Sequence, residues 1–259
     1  MFEIQTAQSL LRLDPDLGQL LSPAHYAEAE RVLRVSVASS RPGSWQPDRL
    51  RMDRAGNIGL LVLGGAILRE VRLLDVPSAE LFGPGDIIRT WQAEPTPETL
   101  AATIDWHALD QVSALILDES TALALRRYPE VMSVVLDRLH ARSERLAITQ
   151  AISQLTGVDT RIEAFLRHLS QRWGRVGRDG VTVELNLSHR MLGALVGARR
   201  PTISTALAAL AGDGRVLRRA DGVWLLPTTS PLETLGSGAT GDMGRPTVAA
   251  ESPQRVLAA

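Results

Sequence analysis

The chain has 259 residues, 44% of them hydrophobic and 22% charged, a globular balance with room for one large domain or two modest ones. It has no cysteine, which excludes disulfides, thiolate metal sites and cysteine nucleophiles. All 28 of its basic residues are arginine, so chemistry that needs a lysine is closed as well.

Residues 1–30 place apolar side chains at helical spacing, interrupted by Pro15 and Pro23, and read as short helices. They show no basic stretch followed by an apolar core, and no apolar run in the chain approaches the ~18 residues of a membrane span. A cytoplasmic protein with no membrane partner is expected. From Val32 to about Leu117 the texture is β: Leu33, Val35 and Val37 alternate, Ile58–Leu63 is a continuous apolar run, and Ile67, Val71 and Leu73 alternate again. Arg41-Pro42-Gly43, Gly64-Gly65 and Gly83-Pro84-Gly85 punctuate these runs. Short strands with glycine turns and no long helix between them suggest a small barrel or roll. Trp45, Trp91 and Trp106 are expected in its core.

Residues 119–155 are helical in character, with Pro129 near the start of a long segment, where a missing N–H costs nothing. Val131, Val135, Leu139 and Leu146 form one apolar stripe along it. Two uses fit such a stripe: packing on the β domain of the same chain, or a two-chain coiled coil. Gly157 ends this helix, and Asp159 or Thr160 can cap the next, which runs to about Trp173 and is followed by a polar loop from Gly174 to Gly180.

The net charge of −1 conceals an imbalance. Residues 161–219 carry eleven arginines against four acids, whereas the rest of the chain has seventeen arginines against twenty-five acids. A basic third in a near-neutral protein is the electrostatic footprint of a nucleic-acid-binding module, although a solvated basic surface would look the same on charge alone. The pattern inside that third decides between them. Val181, Val183 and Leu185 alternate as a strand. Ser188 caps a helix over 188–196, Gly197 supplies a left-handed turn, and a second helix starts around Arg200-Pro201. The outward face of that second helix begins with Arg199, Arg200, Thr202, Ser204 and Thr205. Arg218-Arg219 and Asp221-Gly222 then open a hairpin that closes on Val223–Leu226. Helix, tight turn, basic hydroxyl-rich helix and basic hairpin together make a winged helix-turn-helix. Its second helix can enter the major groove with arginine offered to guanine, while the hairpin arginines meet phosphates. Ser188 and His189 lie beside the first helix cap, within reach of a phosphate.

The segment Leu192–Leu210, LGALVGARRPTISTALAAL, followed by Gly214-Arg215-Val216, resembles the DNA-binding signature of the Crp/Fnr family of bacterial transcription regulators. Tyr128-Pro129-Glu130 with the amphipathic segment behind it, then Thr156-Gly157 and Arg161-Ile162, is similar to that family's dimerisation helix and hinge. Leu61–Gly65 and Phe82–Ile87 resemble pieces of its β-roll sensor. The resemblance implies an α+β chain: a β-roll like those of cyclic-nucleotide-binding domains over 1–128, a dimerisation helix and hinge over 129–157, and a winged helix-turn-helix over 158–229. A disordered tail is expected over 230–259 from its Gly, Ser, Pro and Ala content. Also implied are a homodimer held by Val131, Val135, Leu139 and Leu146, a palindromic duplex operator, RNA polymerase as a contact, and a small-molecule effector of unidentified chemistry. Arg200 matches the family's first recognition arginine. Pro201 stands where an acid is common, and Thr205 where a second arginine is common, so no operator sequence carries over.

The family's nucleotide-binding members hold the cyclic phosphate with a Gly-Glu turn and an arginine. Here Asp86-Ile87-Ile88 runs into Arg89-Thr90-Trp91, and residues 90–125 contain six acids and no basic side chain. A phosphate site needs charge-assisted donors, so cyclic-nucleotide binding is expected to be lost, with Arg89 an ordinary strand arginine. The five histidines fall in no ligand spacing and no His-x-His or His-x-Glu pair occurs, so neither cofactor, metal nor enzymatic activity is expected. The Gly-x-Gly-x-x-Gly match at 236–241 has no strand before it or helix after it. Asn186-Leu187-Ser188, formally a glycosylation acceptor, reads as a helix start.

Overall fold

The computed structural model describes residues 2–50, 56–89 and 102–228. The expected tail over 230–259, the 236–241 match, Trp91, Glu94 and Glu98 lie outside them. Two antiparallel sheets face each other. Strands β1 (Glu3–Ser9), β2 (Arg34–Ser40), β4 (Gly59–Gly64), β7 (Ile87–Ile88) and β9 (Val112–Leu117) form one, in the order β1-β2-β9-β4-β7. Strands β3 (Gly43–Ser44), β5 (Ile67–Leu73), β6 (Val76–Phe82) and β8 (Ala102–Ala108) form the other, in the order β3-β8-β5-β6. Between the sheets lies a core of Leu60, Val62, Ile67, Phe82 and Ile88 with Trp45 and Trp106, the two indoles meeting edge-on at 5.6 Å.

The unbroken apolar run of β4 has a simple cause. Leu60 and Val62 point into this core, and Leu61 points the other way, into a second core under the helices. A strand covered on both faces cannot alternate. The same holds for β5 and β6: Ile67 and Phe82 face the inter-sheet core, while Leu68 and Leu81 face a third core shared with the C-terminal third. The turn joining them, Leu74-Asp75, has positive φ at both residues (49° and 64°), the twist that a two-residue hairpin requires.

The N-terminal expectation of helices is half right. Helices α1 (Leu10–Leu13) and α2 (Pro23–Val32) form, with a 3-10 turn over Pro15–Gly18, but residues 3–9 are strand β1 paired to β2. Glu3, Ile4 and Gln5 are exposed. This edge strand exists through backbone pairing and shows no burial pattern that a sequence could reveal.

Helix α3 (Glu119–Leu125) leads to the long helix α4 (Pro129–Ser153). Here the expected dimerisation stripe is corrected. Val131 and Val135, with Val134, are buried in the second core of their own protomer against Leu61, Leu115 and Leu117. The stripe therefore divides: its first two members hold α4 on the roll, and Leu146 remains exposed, with Leu139 between.

Helix α5 (Val158–Trp173) starts from Gly157, whose φ of 86° makes the bend. Asp159 and Thr160, the expected caps, sit inside the helix, because the positive φ is needed at its very start. The expected loop after it is a hairpin of β10 (Gly174–Gly177) and β11 (Gly180–Val183). Glycine content hid the strand. Gly174 and Gly180 are required by close approach: a Cβ would fall 2.2 Å from the carbonyl oxygens of Ser170 and Leu226 respectively.

The C-terminal third packs directly on the roll. Ala66 and Leu68 belong to the same core as Ile152, Phe165, Leu166, Leu192 and Leu195. The Gly83–Asp86 turn is pressed against α5, where a Cβ on Gly83 would meet Trp173 at 2.6 Å. Arg172 donates to the Pro84 carbonyl (2.6 Å) and to Asp86 (2.7 Å), and Arg190 reaches Glu70 (2.7 Å). Asp86 and Glu70 are almost wholly buried. No helix among the described residues is long and apolar enough to cross a membrane.

Candidate nucleic-acid interface

Helix α6 (His189–Val196) is capped by Ser188, whose hydroxyl accepts from Met191 N at 3.2 Å. It ends at Gly197 in the left-handed region (φ 68°, ψ 46°). Helix α7 (Arg200–Gly212) follows after Ala198, with Arg199 as its cap and Pro201 in its first turn. The two helices touch through Gly193, where a Cβ would lie 2.5 Å from the Ala198 carbonyl oxygen. Ile203, Ala206 and Leu210 bury one face of α7, so Arg199, Arg200, Thr202, Ser204 and Thr205 are left on the exposed one.

Strands β12 (Leu217–Arg218) and β13 (Trp224–Leu226) form the hairpin. It is closed by Gly222 N donating to the Arg219 carbonyl at 2.9 Å and Arg219 N to that of Val223 at 2.9 Å. Together with β10 and β11 these strands make one small sheet, in the order β10-β11-β13-β12. Trp224 anchors it, fully buried, with its indole N–H donating to the Leu185 carbonyl at 3.0 Å. The Arg218 guanidinium lies over that indole at 4.8 Å and donates to Asn186 Oδ1 at 3.3 Å.

The expected DNA-contacting residues thus fall on one strip. Arg218 touches Asn186, two residues before Ser188. His189 Nδ1 lies 2.8 Å from Ser204 Oγ, which donates to the Arg200 carbonyl at 3.2 Å. The Thr205 hydroxyl likewise donates to the Pro201 carbonyl at 3.3 Å. Back-bonding to the helix parks both hydroxyls against α7 and leaves the arginines as its projecting groups. Of this strip, Asn186, the partner of Arg218, is the part hidden in the sequence. An Asn-x-Ser before a helix is its only signal there.

Arginine count overstates the basic surface. Arg167 and Arg215 both contact Glu163, which is completely buried in α5, and Arg175 pairs with Glu184. Arg172 and Arg190 are neutralised by Asp86 and Glu70 of the roll. The positive charge that stays outward in this region includes Arg199, Arg200, Arg218 and Arg219. No group of three or more His, Asp or Glu side chains that could hold a metal occurs among the described residues.

Residues 160–228 match the model of the Crp-like helix-turn-helix domain. No curated protein matches the chain. Among solved structures, it is similar to a CooA mutant from Carboxydothermus hydrogenoformans, at 16% identity over 91% of this chain and 97% of that one, with a TM-score of 0.58. It is similar too to a cyclic nucleotide-binding domain containing protein from Listeria monocytogenes, at 16% identity over 83% and 97%, with a TM-score of 0.60. A CRP-family transcriptional regulator from Thermus thermophilus matches at 19% identity over 76% and 95%, with a TM-score of 0.52. At these identities the structures establish the fold, a β-roll followed by a helix-turn-helix. The family model adds that residues 160–228 are a Crp-like helix-turn-helix domain.

Proposed function

We propose that this chain is a cytoplasmic, dimeric, sequence-specific regulator of transcription, with no catalytic role, whose sensor does not use a cyclic nucleotide. The observation that carries the DNA-binding half is the exposed first turn of α7. Arg200 projects there on a rigid helix, flanked by a strip of polar groups that ends at Arg218. In this arrangement Arg200 reads a guanine edge, and Arg199, Arg218 and Arg219 hold phosphates with Ser188, His189, Thr202, Ser204 and Thr205 beside them.

Two substitutions separate these roles. Arg200→Ala should cost about 1–3 kcal/mol per half-site on the operator and less on random duplex. Arg218→Ala should weaken both duplexes alike and flatten the slope of log affinity against log salt by roughly one for each phosphate it no longer neutralises. Titrations of an operator and a scrambled duplex at several salt concentrations measure both. Equal losses for Arg200→Ala on the two duplexes would make it a backbone contact.

The dimer uses the face of α4 centred on exposed Leu136, where the roll covers Met132 and Leu139 only in part. Met132, Leu136, Leu139, Ser143, Leu146 and Gln150 follow one another at intervals of four and three, the period of a coiled-coil seam. Leu136 and Leu146 on it are exposed. Leu139 and Leu146 are the members of the expected stripe that keep this role.

Three features support loss of nucleotide binding. The space between the sheets is filled by Trp45, Phe82 and Trp106, with Arg69 stacked over the last two at 5.6 and 5.7 Å. Asp86, beside the glycine turn, is committed to Arg145, Arg172 and Gly83 N. Asp110 and Asp118, two of the acids that follow, serve as backbone acceptors. Cyclic AMP and cyclic GMP should therefore leave the melting temperature unchanged. A saturable rise at micromolar nucleotide, which binding to the native state must produce, would contradict this.

A further inference from the structure

The roll, the long helix and the DNA-binding unit meet around a small cleft. Its walls come from β6 (Ala79, Glu80, Leu81), α4 (Arg142, Arg145, Leu146, Thr149), α5 and α6. One side is apolar, built by Leu81, Leu146, Phe165 and Leu169, and the other carries three guanidiniums, Arg142, Arg145 and Arg172. The cleft is open on one side and has a volume of about 50 Å³.

The charges around it do not cancel. Arg142 and Arg69 share Glu80; Arg145 and Arg172 share Asp86. The acids that act on Arg69, Arg142 and Arg145 are these same two. Four guanidiniums thus stand against two carboxylates in a half-buried space. Burial outweighs the attraction of the acids at Arg145 and Arg69 and lowers their proton affinity. His168, on the wall, is pushed toward its neutral form by burial and then by the Arg145 charge, so it adds no positive charge at neutral pH and can hydrogen-bond. A surplus of two positive charges beside an apolar wall calls for an anion with an apolar end.

We propose that this cleft is an effector site for a short-chain monocarboxylate. The planar carboxylate matches the guanidinium fork, and the tail lies on Leu81, Phe165 and Leu169. The cleft is too small to enclose the whole ligand, since a cavity that takes benzene measures about 150 Å³, so the carboxylate and first carbons occupy it and the rest of the short tail lies along its open side. A ligand there touches the sensor, α4 and the DNA-binding unit at once. It also competes with Asp86 for Arg145 and Arg172, the contacts that seat α4 and α5 respectively on the Gly83–Asp86 turn. Binding is thereby linked to the placement of α6 and α7.

The experiment is a thermal-shift and calorimetric titration of the full chain with butyrate, at ionic strength matched by sodium chloride. Acetate, butyramide and inorganic phosphate are run in parallel. It reads binding without DNA, so its failure would leave the DNA-binding proposal standing. Butyrate should give a saturable stabilisation and butyramide none. Butyrate should bind more tightly than acetate, with about 15-fold as the ceiling that two fully buried methylenes would set. Arg145→Met should weaken butyrate binding at least about tenfold, through removal of one charge-assisted pair. Ala79→Phe, which fills the apolar end, should abolish it. The chain-length series uses the unaltered protein and stands whether or not either variant folds. Equal binding of acetate and butyrate, equal binding of butyramide, a response to phosphate alone, no saturable response at all, or undiminished binding by folded Ala79→Phe would each overturn the proposal.

Discussion

Leu136→Glu should turn the protein into monomers. Leu136 is 57% exposed in the protomer, so the substitution costs the fold little, yet in the proposed seam it sets two carboxylates against each other in an apolar contact. Sedimentation at micromolar concentration would show half the mass, with unchanged circular dichroism. Operator affinity should fall by about 10²- to 10⁴-fold, because the second helix-turn-helix is no longer tethered to the first. Val135→Glu should behave differently. Val135 is buried in the protomer's own core, and a charge there should unfold the roll rather than split a dimer. A Leu136→Glu protein that stays dimeric would move the interface elsewhere.

The second large effect lies inside the DNA-binding unit. Glu163 is fully buried between Arg167 at 3.1 Å and Arg215, which Asp159 also approaches at 3.4 Å. Arg215 follows α7 and Glu163 lies on α5, so this contact ties the recognition helix to its support. Removing one partner of a buried pair strands the other charge, at a cost of about 3–5 kcal/mol. Glu163→Ala should destabilise this unit by that amount in urea unfolding. The double variant Glu163→Met with Arg215→Met should recover part of it, because one of the two guanidiniums that lose Glu163 is gone while Arg167 remains. A destabilisation below about 1 kcal/mol for the single variant would mean that solvent reaches the site.

The parts legible in the sequence were those whose burial leaves a period. The long helix and the helix-turn-helix appear in the spacing of their apolar residues. Gly197 was readable because only a left-handed residue makes that turn. Strand β1 and the β10–β11 hairpin were not readable, since one is a polar edge strand and the other has glycines at both ends. On α4 the spacing mixed two faces: a four-residue count from Val131 runs from side chains buried on the roll to Leu139, which the roll covers only in part. The arginines showed the same ambiguity. Sequence shows charge, but only the fold shows that Arg172, Arg190 and Arg215 face carboxylates while Arg199, Arg200, Arg218 and Arg219 face outward.

Two copies of α7 are expected to read DNA together. Selection of duplexes from a random pool by the purified protein, followed by sequencing, tests this most directly. The recovered sites should be two-fold symmetric, with guanine-containing half-sites whose centres are about one helical turn apart, and Arg200→Ala should erase the preference at that guanine. Recovery of sequences without symmetry, or of no enriched sequence at all, would contradict it.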